Sequence, residues 1–248
     1  MTALSLSIVG AAIFLSSFIS GVFGLAGGMI LLGALLIFFD VPTAMVLFSL
    51  LAATSNIWRV VAWWRYINWR IWFQYMLGAT LAFAVLRFIA FVPSKPLVYL
   101  LLGLIPWAVE LLPRRWHPSI QWRGVPVFTG FATTTIQLVA GNGGMFLDVF
   151  FQKSEIDRRT TVATKAVCHT VGNLLRIFYF GTLADISDTI PLWFFGPAVL
   201  LAIGGTMFAP MVLERMTDHS FRQWTRKLIF TVSGVYLLRA AWLYWRDF

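Results

Sequence analysis

Residues 27–39 read GGMILLGALLIFF and residues 143–151 read GGMFLDVFF. Both runs are too apolar to face water. Both are also too short to cross a hydrocarbon core of about 30 Å, which takes about 20 helical residues. Each opens on a glycine pair, Gly27-Gly28 and Gly143-Gly144, where a chain can break inside a membrane and leave backbone N–H groups unshielded. About thirty residues after each pair comes the same tetrad, NIWR at Asn56–Arg59 and NLLR at Asn173–Arg176. Glycine pair, methionine and Asn-x-x-Arg at nearly equal offsets predict an internal duplication. Its period lies far above solenoid repeats and in the range of transporter folds.

Longer apolar runs surround these two. The full set falls at 3–24, 29–39, 42–64, 71–92, 96–112, 125–141, 144–151, 160–181, 190–213 and 226–245. The strand alternation of a β-barrel is absent, so all ten are predicted helical. With 59% hydrophobic and 12% charged residues and a mean hydropathy of +0.80, the chain lacks the charge to cover a soluble domain. Tryptophans gather at segment boundaries, at Trp63, Trp64, Trp69 and Trp72 and again at Trp116 and Trp122, as an interfacial belt requires. The N-terminal MTALSLSIVGAAIFLSSFISGVFG has no basic n-region and no clear cleavage site, and reads as a retained membrane segment. The lone Cys168 excludes an internal disulfide framework and a multi-cysteine metal site, and reads as a small packing residue.

The loop charges orient the halves. The loops at 65–70, 113–124, 152–159 and 214–227 hold Arg65, Arg70, Arg114, Arg115, Arg123, Lys153, Arg158, Arg159, Arg215, Arg222, Arg226 and Lys227. The other loops and the C-terminus offer Lys95 and Arg246 against Asp40, Asp185, Asp188 and Asp247. Placing the first set in the cytoplasm satisfies the positive-inside rule. It requires an odd number of crossings per half, puts both termini outside and inverts the two halves. The net charge of +9 is thereby a matter of topology and lipid headgroups, not of nucleic acid. The expected fold is an all-α integral membrane protein of two inverted repeats of about five helical segments each. Its second and seventh segments are short and broken at Gly-Gly. The N-terminal membrane repeat takes 1–112, a basic cytoplasmic linker 113–124 and the C-terminal membrane repeat 125–248. Charges fix only parity: segments 3–24 and 29–39 either cross twice or dip in and return as a broken hairpin.

Ionisable groups inside apolar helices are costly and mark functional candidates. Here they are Arg59, Arg87, Lys165, Arg176 and Arg239, with His169 nearby and few acids, Asp148 and Glu110, to offset them. A path lined this way favours anions. Arg87 and Glu110 also fit snorkelling and headgroup positions; Arg239 fits a pairing with Glu110 or a lipid phosphate. Thr161, Lys165, His169, Asn173 and Arg176 form one polar stripe at helical spacing. Ser49, Asn56 and Arg59 share a face on the matching helix. Such stripes face a cavity or a polar helix–helix contact. A helix starting at either glycine pair would aim its positive dipole end at an anion in the break, and Asn142 stands beside the second pair. Inversion would set Arg59 in a cytoplasmic vestibule and Arg176 in an external one, with Asn56 and Asn173 about one turn deeper.

GLAGGMILLGALLIFFDVPTAMVLFSLLAATSN with INWR at Ile67–Arg70, and GNGGMFLDVFF through ATKAVCHTVGNLLR, resemble the two glycine-rich signatures of the sulfite exporter TauE/SafE family. The resemblance runs from about Ser20 to the end. It departs from the usual run of three glycines at Ala26 and Asn142. It implies a multi-pass permease of the cytoplasmic membrane for sulfite, thiosulfate, sulfonates or related organosulfur anions, a family often drawn with eight spans. The resulting expectation is a transporter and not an enzyme, without cofactor or metal. Its partners are a small anion and the bilayer, in an oligomeric state the sequence leaves open. Substrate-binding residues are Gly27, Gly28, Asn56, Arg59, Asn142, Gly143, Gly144, Lys165, His169, Asn173 and Arg176, with His169 and Asp148 as candidates for proton coupling. The alternatives are a lipid-phosphate-handling membrane protein, a membrane-embedded enzyme and a channel-like subunit. Metal-ligand clusters, nucleophile elbows and paired carboxylates are missing from the sequence.

Overall fold

The computed structural model describes residues 3–23, 25–111, 113, 118–152, 154–184, 193, 195–213, 216 and 218–246. Trp116, Arg114, Arg115, Lys153, Arg215 and the acidic Asp185, Asp188 and Asp247 lie outside the described residues. The described residues form ten α-helices: α1 (Ala3–Phe23), α2 (Leu25–Phe38), α3 (Val41–Trp63), α4 (Trp69–Ile89), α5 (Lys95–Leu111), α6 (Val125–Ala140), α7 (Gly144–Phe151), α8 (Arg158–Gly181), α9 (Phe195–Leu213) and α10 (Asp218–Arg246). A short 3₁₀ turn, Trp64–Tyr66, follows α3.

Local chemistry sets the boundaries. The Asp40 side chain accepts from the Thr43 N–H at the start of α3, with Pro42 in its first turn. Asn68 caps α4 by accepting from the Ile71 N–H at 3.2 Å. Asp157 caps α8, accepting from the Arg159 and Thr160 N–H groups at 3.0 and 3.1 Å. The Thr160 hydroxyl, and after it these backbone bonds, favour the charged carboxylate and hold the exposed Asp157 below the usual range. At its other end α6 stops on Gly141, whose φ of 82° is left-handed and open to glycine.

α2 has 14 residues and α7 has 8, about 21 and 12 Å at 1.5 Å per residue, so neither spans a bilayer. One boundary departs from expectation. α7 begins at Gly144, but α2 begins at Leu25, so Gly27 and Gly28 lie within its first turn and not ahead of it. Gly27 is there for packing: a Cβ on it would collide with the Ser20 backbone of α1. Its absence lets α1 and α2 close as a tight pair.

Among the described residues, three helical stretches, Val41–Tyr66, Trp69–Ile89 and Gln223–Arg246, are long and apolar enough to cross a membrane by themselves. On α4, Ile71, Tyr75, Gly78, Ala79 and Ala82 form a buried stripe, while Phe73, Leu77, Leu81 and Phe88 are exposed on the rest. A helix apolar on both its buried and its exposed faces belongs in lipid. The dominant helix pairs are α1 with α9, α4 with α6, α3 with α8, and α5 with α10. At the α4–α6 crossing, Cβ atoms on Gly78 and Gly130 would collide with the Val127 and Tyr75 carbonyl oxygens respectively, so the two backbones touch.

α6 and α7 make a helical hairpin. The Ile120 N–H, ahead of α6, donates to the Phe150 carbonyl at the end of α7 at 2.9 Å. The Gln121 side-chain oxygen accepts from the Glu155 N–H at 3.0 Å. The chain therefore enters and leaves at one end of the bundle. Other basic loops meet at that end. Arg159 donates to the Tyr66 hydroxyl at 3.1 Å, the Asn68 N–H to Thr164 at 3.0 Å, and Val109 of α5 packs against the cluster that holds Ile120 and Phe150. Glu110 pairs with Arg226 at 2.8 Å.

Candidate functional site

Only Gly141, Asn142 and Gly143 separate α6 from α7. The negative end of one helix dipole and the positive end of the next thus face each other inside the bundle. The Asn142 Oδ1 accepts from the Gly144 N–H at 3.1 Å, which occupies one free donor of α7. The Asn142 Nδ2 points back at α2, 3.5 Å from where a Cβ on Gly28 would sit; the Phe48 ring is equally near that point. The two glycine-rich runs, far apart in sequence, meet here. Gly143 serves the hairpin itself, since a Cβ on it would press on the Thr133 carbonyl at 2.7 Å.

Gly28 has a little room. The nearest atoms stand at ordinary contact distance from an added Cβ, so Gly28→Ala is expected to keep transport near wild type. Gly28→Leu is expected to abolish it, while the protein still elutes as a folded species on size exclusion. Equal transport by the two variants would show that the contact with Asn142 is irrelevant.

Arg176 ties this junction together. It is 0% exposed and uses its whole guanidinium. The Nε donates to Ser49 Oγ of α3 at 2.5 Å and one Nη to Asn173 Oδ1 at 2.8 Å. The other Nη donates to the Gly141 carbonyl and, at 3.5 Å, to the Gln137 carbonyl. The Phe48 ring lies 4.7 Å from the guanidinium carbon. Arg176 therefore caps the C-terminal carbonyls of α6, whose dipole supplies the negative charge that no carboxylate provides. The external vestibule expected for Arg176 is not where the structure puts it. Ser49, Gly141 and Phe48 close over the side chain and remove it from any open surface.

The rest of the α8 stripe also meets protein. Lys165 forms an ion pair with Asp148 of α7, both about a quarter exposed. His169 Nδ1 lies 3.4 Å from Gln137 Nε2, and Gln137 packs on Gly172. Asn173 is buried against Arg176. Of the expected residues, Asn142, Gly28, Gly143, Gly144, Asn173 and Arg176 thus meet at the α6–α7 junction, while His169 reaches α6 at Gln137 and Lys165 reaches α7 at Asp148. Gly27 faces α1 instead, and Asn56 and Arg59 lie toward the other end of α3. Arg59 is exposed and, among the described residues, makes no hydrogen bond or ion pair.

Glu110 takes Arg226 and not Arg239; Arg239 stacks on Trp242, its guanidinium carbon 4.5 Å from the ring. Arg87 is exposed near the end of α4, as a snorkelling residue would be. Gln137 was missed in sequence. Its signal is a lone amide in the apolar α6, one turn before Gly141. Among the described residues no group of acidic, histidine and cysteine side chains could hold a metal.

A family model described as sulfite exporter TauE/SafE matches residues 9–237. Neither the curated proteins nor the solved structures contain a match to the chain.

Proposed function

The chain belongs to the sulfite exporter TauE/SafE family, and from that membership we propose that it carries sulfite, thiosulfate, a sulfonate or a related organosulfur anion across the cytoplasmic membrane. It is a membrane transporter and not an enzyme, as its family is. One observation carries the substrate reading. Gly28 and Asn142 meet at one end of a group of cations in which Lys165 has the carboxylate of Asp148 and Arg59, farther along α3, has none among the described residues. A path past such a cluster attracts anions and repels cations. The small surfaces of Gly28 and Gly144 let an anion approach backbone, Asn142 supplies a side-chain amide, and Asn56 and Asn173 flank the path from α3 and α8. His169 and Asp148 are our candidates for proton coupling.

The halves read as repeats of 1–112 and 125–248 joined by a basic linker at 113–124. The helix pairing supports this. Exchanging each helix for the one five places on turns α1–α9 into α6–α4 and leaves α3–α8 and α5–α10 unchanged. Two repeats related by a two-fold axis in the membrane plane pack this way. With the basic loops cytoplasmic, a Cys168→Ala protein bearing Arg123→Cys is expected to react with an impermeant maleimide only after the membrane is opened. Ser94→Cys should react in intact cells. Reaction of residue 123 in intact cells would reverse the orientation.

Radiolabelled flux into proteoliposomes tests the function. Sulfite or a sulfonate is expected to enter at a rate well above protein-free vesicles, and phosphate at the background rate. Entry of phosphate alone, or movement of a labelled phospholipid with no anion flux, would overturn the reading.

A further inference from the structure

The two arginines of the repeated tetrad have different surroundings, and sequence explains why. Eight and seven residues before Asn56 stand Phe48 and Ser49; eight and seven before Asn173 stand Lys165 and Ala166. Phe48 and Ser49 are the ring and the hydroxyl that seat Arg176. The equivalent seat for Arg59 would present a cation in place of the ring and a methyl in place of the hydroxyl. Arg59 has no such seat, and it stays exposed without a hydrogen bond or ion pair.

It does have a neighbour of the same sign. Val60 packs against the cluster of Ile67, Ala163 and Val167, and α3 lies along α8, so Arg59 stands on the helix that faces Lys165. The charges of Lys165 and Arg59 both act on His169, one turn along α8. Lys165 shares Asp148, so the group keeps a positive excess beside Asn56 and Trp58, the latter 73% exposed. Two cations held together without a matching acid are stabilised by an anion between them. A guanidinium offers two parallel donors that match two oxygens of a sulfite or sulfonate face, while the ammonium adds a point charge.

Resting on the transport reading above, we infer that Arg59 and Lys165 form an oxyanion subsite at the end of the path nearest the basic loops, while Arg176 is a fixed structural tie that takes no part in binding. The subsite takes a small sulfur oxyanion with at least two free oxygens on one face.

Equilibrium binding of radiolabelled sulfite to the full-length protein in detergent, with melting temperature measured alongside, tests this. Arg59→Gln is expected to raise the sulfite Kd at least tenfold with the melting temperature unchanged, and Arg59→Lys to recover part of the loss. Lys165→Met should weaken binding by a similar factor. Arg176→Gln should lower the melting temperature, yet the fraction that remains folded should bind sulfite as the wild type does. Wild-type affinity in Arg59→Gln, or lost binding by a thermally intact Arg176→Gln, would overturn the subsite while leaving the transporter reading in place. A wild-type protein that neither binds nor carries a sulfur oxyanion would remove both.

Discussion

Arg176→Gln is expected to destabilise the protein by about 3 kcal/mol, seen as a lower melting temperature in detergent and a smaller folded fraction. The wild-type side chain satisfies Ser49, Asn173 and the last carbonyls of α6 at once. Glutamine is shorter and carries two donors, so it reaches at most part of this set. The carbonyl oxygens left behind sit in a dry interior, where an unpaired acceptor costs about 1–3 kcal/mol. Lysine should fail to rescue, because one ammonium cannot span partners that a flat guanidinium reaches on several sides. An unchanged melting temperature in both variants would mean that the α6 terminus finds other partners and that the tie is dispensable.

Gly78→Leu and Gly130→Leu are expected to cost about 3 kcal/mol each, at the upper end of overpacking penalties. At both positions the obstructing atom is a backbone carbonyl of the neighbouring helix, which cannot rotate aside as a side chain can. Alanine should already be harmful there. Gly204→Ala and Gly234→Ala are the internal controls. A Cβ at Gly204 would approach only Phe14, at 3.8 Å, and one at Gly234 would meet nothing within 4 Å. Both lie inside helices, so alanine should leave stability unchanged or raise it by up to about 1 kcal/mol. Thermal unfolding of the four alanine variants separates contact from propensity, and indistinguishable melting temperatures would sink the close-packed crossing.

Much of this architecture is legible in the chain. The ten segments, the two that are too short to span and the glycine start of α7 follow from apolar run length and composition. Family and transport class follow from the glycine signatures. What stayed hidden lies in contacts between distant residues. Periodicity reveals that Lys165, His169, Asn173 and Arg176 share a face of α8, but it cannot say what stands opposite. Asp148, Gln137 and Ser49, which stand there, come from three other helices. Gly27 looked like Gly143 because both precede a glycine and a methionine run. Only the position of Ser20 shows that one serves a helix pair and the other a hairpin turn. Loop charges count crossings by parity alone, so it takes the contact of Ile120 with Phe150 to show that α6–α7 starts and ends at one end of the bundle.

That return bears on how the protein is made. A spanning helix is committed to the bilayer when one of its flanks is carried across, but the start of α6 and the end of α7 lie together at one end of the bundle, so this hairpin needs neither flank carried. α4, which is synthesised earlier, offers the glycine-lined surface on which α6 lies. Arg176 emerges from the ribosome 35 residues after Gly141. Until then the carbonyls at the end of α6 lack the guanidinium that caps them. The arginine acts as a bolt that a nascent chain closes late, after the piece it fastens is already in place. Premature chain termination anywhere between the two would release a hairpin that is inserted but unsecured.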